Sequence, residues 1–301
     1  MPLRYSIFLA AILALPHFVW SQEEGVYPIQ LHRPAVKGEA YTYAAVGRLF
    51  ERIVVTIDGE TAETKNESYR CELASKVEVL EVDELGLPTQ LNLTVYRFQK
   101  QADDEALALD LLGRGAEILC KFSLEGAEFS VAGKKLSGEV AEALSVVAMK
   151  LSSQFGETED QVLGTKEPKA EGDTWALNTD SLSRALARNG FHIGAEKLRS
   201  EGQLTSVTKH EGGEAEFLQV DVSIIGEGVS PELPLGYAPK SGTLTNTISR
   251  RYPTDPKLPC AGEEISFEIV AEAEGKEAES IVNLKIHVKQ TLKARYSRIG
   301  A

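Results

Sequence analysis

The segment "ISFEIVAEAEGKEAESIVNLKIHV", which runs from Ile265 to Val288, shows the clearest structural pattern in the chain. Apolar and polar residues alternate on both sides of "EAEGKEAES", which contains a glycine and several charged residues. Because successive side chains of a strand point to opposite faces, the pattern predicts an antiparallel hairpin with one buried face. The residues predicted to share that face are Ile265, Phe267, Ile269, Val282, Leu284, Ile286 and Val288.

The same period of two recurs through most of the chain, for example in "YRCELASKVEVLEV", "QLNLTVYRF" and "EFLQVDVSI". Two segments have helical spacing instead. One predicts a buried amphipathic helix at about 137–153, and the other a short helix at about 181–188. The predicted fold class is therefore α+β with mostly antiparallel β-structure.

Two phrases of the sequence resemble each other, "VKGEAYTYAAV" at 36–46 and "KAEGDTWALNT" at 169–179. We interpret the echo as two similar β-rich units, at 38–155 and 172–301. Residues 22–37 contain two prolines and no clear period, which predicts a tether, and the acidic segment 156–171 is interpreted as a linker. If each unit begins by inserting an aromatic side chain under its sheet, Trp175 must be buried.

The first 21 residues have the order of a secretory signal peptide. A single cationic residue, Arg4, precedes an apolar run from Tyr5 to Trp20, and cleavage is predicted after Ser21. No later stretch is apolar enough over about 20 residues to cross a bilayer as a helix. We therefore expect an exported, soluble protein of the periplasm or the extracellular space.

The formal net charge of −13 disfavours nucleic-acid partners, because an acidic surface repels phosphate backbones. The apolar fraction of 43% and the charged fraction of 26% are ordinary for a globular protein.

The chain has three cysteines, an odd number for an oxidising compartment. Cys71 and Cys120 both fall at buried positions of their predicted strands, whereas Cys260 lies in the turn-rich "DPKLPCAGEE". A disulfide between Cys71 and Cys120 and a pair of buried thiols are both consistent with this pattern, because disulfide formation depends on a geometry that the sequence does not supply.

The candidate metal ligands are His210, Glu211, Glu214 and Glu216, which surround a glycine turn in "HEGGEAE". A charged, solvated hairpin tip accounts for the same residues. The chain has no Cys-x-x-Cys, His-Glu-x-x-His, G-x-S-x-G or phosphate-binding loop motif, and no cofactor is predicted.

The phrase Gly-Asp-Thr-Trp, from Gly172 to Trp175, follows the predicted helix and opens the second β-rich half. In this respect the region from Leu144 to Ile225 resembles a group of uncharacterised bacterial exported β-rich proteins. The resemblance implies a β-rich fold and export, and it assigns no functional residues.

These patterns favour a non-enzymatic exported binding or scaffold protein. A curved sheet closed by a helix could carry an apolar small molecule or dock an envelope protein. The alternative is a carboxylate-based or metal-assisted hydrolase, with the ion near His210.

Overall fold

The computed structural model describes residues 25–123, 126–148, 157–209, 211–233, 235–277 and 279–298. The strands are β1 (Val26–Tyr27), β2 (Ala40–Ile57), β3 (Glu60–Val82), β4 (Pro88–Ala102), β5 (Leu109–Leu112), β6 (Glu117–Ser123), β7 (Gly126–Val131), β8 (Lys134–Lys135), β9 (Lys169–Ala170), β10 (Thr174–Ala176), β11 (Phe191–His192), β12 (Leu198–Lys209), β13 (Ala215–Glu227), β14 (Ser230–Pro231), β15 (Tyr237–Pro253), β16 (Gly262–Glu277) and β17 (Ser280–Arg298). The helices are α1 (Glu139–Val147), α2 (Glu159–Leu163) and α3 (Thr179–Arg188), with a 3-10 turn at Ala195–Lys197.

Thirteen strands form one continuous antiparallel sheet in the order β10-β12-β13-β15-β16-β17-β2-β3-β4-β6-β7-β8, with β5 also paired to β4. The mostly antiparallel β-fold is thus confirmed. The strands of both predicted units belong to this sheet, because β17 pairs with β2 along its length, from Val282 opposite Ile57 to Arg298 opposite Tyr41. The division into two units is therefore not confirmed.

One face of the sheet is apolar and carries the core. In the hairpin of β16 and β17 the alternation is as predicted, with Ile269 directly opposite Val288. The strands extend further than the sequence suggested, because the ladder continues to the pair Glu277 and Ser280.

Helix α1 lies on this apolar face and confirms the predicted buried helix over 139–147, while residues 149–153 lie outside the described residues. Leu144 is completely buried. The helix approaches β2 at Gly47, where an added Cβ would lie 2.7 Å from Cγ1 of Val146. The hydroxyl of Tyr43 donates to the carbonyl of Val147 (2.5 Å), which fixes the last turn of the helix on the sheet.

Part of the segment predicted as a tether is packed. Val26 pairs with Ala170, Ile29 and Leu31 are 5% and 2% exposed, and the backbone N–H of Leu31 donates to Oδ1 of Asp160 (2.6 Å). Isolated apolar residues between prolines show no period, yet burying them still stabilises the fold.

The predicted linker also contains ordered structure. Helix α2 begins with a capping box between Thr158 and Gln161, and its apolar residues Val162 and Leu163 are buried. The short helix near 181–188 is confirmed as α3, which is capped by the side chain of Asn178.

Trp175, on the edge strand β10, connects the sheet to helix α2. Its side chain is 6% exposed, as predicted, and its indole N–H donates to the carbonyl of Leu163 (2.8 Å). The ring lies over Gly202 of the neighbouring strand, where an added Cβ would be 2.3 Å from the ring. The absence of a side chain at Gly202 therefore makes room for the indole.

A buried charged network makes a second attachment between α2 and the sheet. Arg250 binds Glu263 through Nε (3.0 Å) and Glu159 of α2 through Nη1 (2.9 Å). Tyr252 accepts a hydrogen bond from Nη1 of Arg250 (3.1 Å), and Tyr296 donates to Glu263 (2.6 Å). Burial would lower the pKa of Arg250, but the charges of Glu159 and Glu263 outweigh it and raise that pKa well above its usual value.

The echoed phrases form the same turn twice. The N–H of Glu39 donates to the carbonyl of Val36 (2.9 Å) and that of Asp173 to the carbonyl of Ala170 (3.0 Å). In each turn the acidic side chain accepts a hydrogen bond from the first residue's N–H. Gly38 and Gly172 occupy the third position with φ of 85° and 93°, the conformation that a type II turn requires there.

The turns also meet the sheet in the same way. The N–H of Gly38 donates to the carbonyl of Val79 (2.8 Å), and that of Gly172 to the carbonyl of Leu204 (2.7 Å). The repeated phrase therefore encodes a repeated entry from a loop into a strand.

In the described part of the chain, no helix combines the length and apolar character needed to cross a bilayer.

Candidate functional site

The proposed metal ligands are only partly described. His210 lies outside the described residues, Glu211 and Glu214 are exposed in the turn between β12 and β13, and Glu216 lies on β13. Within the described ranges, no group of three or more His, Cys, Asp or Glu side chains is arranged to hold a metal ion.

The disulfide between Cys71 and Cys120 is excluded by the register of the sheet. Both are free and buried, and burial raises the pKa of each thiol to about 12. Strand β4 lies between their strands, with Cys71 opposite Lys100 and Cys120 opposite Leu91. At about 3.3 Å per residue these positions are tens of ångströms apart along β4, whereas a disulfide needs Cα atoms within about 7 Å.

The face of the sheet opposite the helices contains a cavity of about 820 Å³. Residues of seven neighbouring strands, from β12 to β3, line this one cavity, so the face is concave. We call it the polar trough. Its lining residues are Val46, Arg48, Arg70, Glu201, Gln203, Asp221, Val222, Ser223, Thr247, Ile248, Ser249, Glu264, Ile265, Ser266, Thr291, Leu292 and Lys293.

Four buried apolar residues of the lining form the floor of the trough. Val222, Ile248, Ile265 and Leu292 are directly opposite one another on four neighbouring strands. Because side chains alternate along a strand, theirs point to the apolar face, and the trough meets mainly their backbone. The polar lining residues flank this row on both sides.

One flank consists of a row of hydroxyl side chains, which we call the hydroxyl row: Ser223, Thr247, Ser266 and Thr291. Each is directly opposite the next on the neighbouring strand. Within the described ranges, none of the four hydroxyls forms a hydrogen bond with another residue, so all four are available to a ligand. Ser223 and Thr247 are exposed, and Ser266 and Thr291 are half-buried.

The hydroxyl row has opposite charges at its two ends. Glu201 is directly opposite Ser223 at one end. At the other end Arg48 is directly opposite Thr291, and Arg70 follows as the partner of Arg48 on β3. The trough is therefore acidic at β12 and basic at β2 and β3.

On the other flank of the trough, the polar side chains already form hydrogen bonds or ion pairs with one another. The hydroxyl of Ser249 donates to Oδ1 of Asp221 (2.5 Å) and accepts a hydrogen bond from the amide of Gln219 (2.8 Å). Lys293 forms an ion pair with Glu264, its direct partner across the strands. A ligand in the trough would therefore meet free hydroxyls on one side and engaged polar groups on the other.

The trough could not be predicted from the sequence, because its polar residues occupy the solvent-facing positions of strands in which apolar and polar residues alternate. Such positions are polar in most strands, whether or not they bind a ligand. The only local signal is that the polar positions of β13, β15, β16 and β17 carry small hydroxyl residues at one level of the sheet. That level becomes visible only when the register is known.

No protein-family model and no curated protein matches the chain. Among solved structures, a lipovitellin studied for its lipid–protein interactions aligns at 12% identity with a TM-score of 0.36, over 88% of this chain and 26% of its own. The chain thus spans about a quarter of that protein's length. The P. putida toluene transporter TodX aligns at 7% identity with a TM-score of 0.17, over 89% of this chain and 91% of its own. The Salmonella typhi porin OmpF aligns at 8% identity with a TM-score of 0.17, over 87% and 98%. Similarity this low indicates neither a shared fold nor a function.

Proposed function

We propose that this protein is a non-enzymatic binding protein, exported from the cell, that holds a polar ligand in the polar trough. The observation that carries the proposal is the hydroxyl row, four aligned hydroxyl groups that have no protein partner within the described ranges. A hydrogen-bonding ligand could satisfy several of them at once, and the rigid sheet fixes their spacing of about 4.8 Å from strand to strand.

The proposal is tested by a substitution that fills the trough. Thr247 is exposed at the middle of the hydroxyl row, and Thr247→Trp places a large side chain there with little strain, because strands favour aromatic residues. Val270, which is 43% exposed on β16 outside the trough, offers the matched control Val270→Trp. In native mass spectrometry we expect a co-purified mass on the wild type and on Val270→Trp, and its loss from Thr247→Trp. A wild-type spectrum showing the protein mass alone contradicts the proposal.

An apolar-ligand carrier is a second proposal, supported by one surface. Beyond α1, six apolar side chains of the apolar face are half-buried or exposed: Ile53, Val55, Ile57, Leu284, Ile286 and Val288. Contiguous apolar patches of this kind mark sites of interaction. A lipid mass that Thr247→Trp retains would favour this second site over the trough.

Export is tested separately, because residues 1–24 lie outside the described residues. We expect N-terminal sequencing of the protein from its native host to start at Gln22. A retained Met1, or recovery of the protein from the cytosol, contradicts export. The hydrolase alternative stays a hypothesis from the sequence.

A further inference from the structure

At the basic end of the polar trough, two residues directly opposite each other carry like charges, which does not occur between the described residues of the neighbouring strands β16 and β17. Charged residues directly opposite each other on β16 and β17 have opposite signs, as in the pairs Glu268–Lys289 and Glu272–Lys285. Arg48 and Arg70, on β2 and β3, are also directly opposite each other, but they carry the same charge. Glu51 and Glu67 form another like-charged pair on these two strands, but Lys65 forms ion pairs with both of them. Like charges in this position destabilise a sheet, and local rules are most often broken where function requires it.

The positive charge at this end is only partly compensated by the protein. Glu72 accepts ion pairs from both Arg70 and Arg97 (2.6 Å to Arg97), so that one carboxylate serves two guanidinium groups. Arg48 is exposed and forms no ion pair or hydrogen bond with the residues that the structure describes. Two guanidinium groups therefore share one carboxylate, and a third, that of Arg48, lies on the residue directly opposite Arg70 without a carboxylate of its own in the described residues.

We propose that Arg48 and Arg70 form the seat for an oxyanion group of the ligand in the trough. The inference rests on the proposed function and specifies the ligand class as a polar molecule that carries a phosphate, sulfate or carboxylate group. Guanidinium groups match the geometry of such groups with two parallel N–H donors. The hydroxyl row begins directly beside the seat, since Thr291 is opposite Arg48, so hydroxyl groups attached to the oxyanion would meet hydroxyl side chains.

The seat is tested by isothermal titration calorimetry of the full chain with inorganic phosphate, glucose 6-phosphate and glucose. Low ionic strength is needed, because salt screens exposed charges. We expect both phosphates to bind and Arg48→Gln to weaken their binding at least tenfold. The control Lys285→Gln removes one exposed charge from the same face outside the trough and should change affinity less than twofold.

One comparison decides between the sources of the oxyanion, and a second variant tests the role of the paired guanidinium donors. Tighter binding of glucose 6-phosphate than of inorganic phosphate supports a seat for a group carried on a hydroxylated molecule, and equal binding supports a seat for the free ion. Arg48→Lys keeps the charge but not the paired donors, and we expect it to recover only part of the affinity.

The outcomes also separate this inference from the proposed function. If no phosphate binds, or if Arg48→Gln binds as well as the wild type, the seat is wrong. If Thr247→Trp nevertheless abolishes the co-purified mass, the trough remains the binding site without an oxyanion seat. If Thr247→Trp changes neither the co-purified mass nor glucose 6-phosphate binding, the proposed function fails as well.

Discussion

Replacing Arg250 with methionine should lower the free energy of unfolding by about 3–5 kcal/mol, a large part of a total of about 5–15 kcal/mol. The substitution leaves Glu263, which is 3% exposed, without its cationic partner and removes the ion pair that links Glu159 of α2 to the sheet. A buried carboxylate that loses its counter-charge is no longer compensated for most of the cost of its desolvation, even though Tyr296 still donates a hydrogen bond to Glu263. Urea denaturation followed by circular dichroism measures the loss.

Lys285→Met is the control for Arg250→Met, because Lys285 pairs with Glu272 on an exposed face and such pairs contribute less than about 1 kcal/mol. Adding Glu263→Met to Arg250→Met should cost less than the sum of the two single changes, since the second removes the orphaned charge. If Arg250→Met were as stable as Lys285→Met, the buried charged network would not stabilise the attachment of α2 to the sheet.

Truncation of Trp175 to alanine should also cost about 3–5 kcal/mol, as for other buried large aromatic side chains. The change opens a void over Gly202 and leaves the carbonyl of Leu163 without its indole donor. Tyr96→Ala, at an aromatic residue that is 44% exposed, is the matched control and should cost far less. Urea denaturation again gives the difference.

A spectroscopic measurement complements the truncation. After removal of residues 1–21, Trp175 is the remaining tryptophan of the two in the sequence, so its emission reports on one site. We expect blue-shifted emission that resists acrylamide in the folded protein. Emission like that of free tryptophan, with full quenching, would contradict the burial of Trp175.

The sequence predicted those features that depend on local periodicity. Alternation placed Ile269 and Val288 on the buried face, and helical spacing located α1 and α3, because burial of one face imposes a fixed period on each element. Packing of Leu31 and Leu163 was not predicted, because an apolar residue in a short irregular segment has no period to reveal its burial.

The register of the strands and the curvature of the sheet could not be predicted from the sequence, for a physical reason. The echoed glycine turns suggested two units, yet a turn fixes only how the chain enters a strand and not which strand it joins. The pairing of β17 with β2 depends on contacts between distant parts of the chain. The trough follows from that pairing, because it sets Thr291 beside Arg48 and so joins the hydroxyl row to the basic end.

The same pairing determines when the protein can complete its fold. The N–H of Ile281 donates to the side chain of Asp58, which lies 223 residues away in sequence, and the strands on either side of this contact form the middle of the sheet. Closing so large a loop costs entropy before any contact compensates it, and folds dominated by distant pairings form slowly. During synthesis β2 can pair with β3, but the other edge of β2 has no partner strand until β17 has been made. A chain whose sheet cannot be completed until β17 has been made stays incompletely folded for longer, and an incompletely folded chain can pass through a secretion channel, so the topology is compatible with the proposed export.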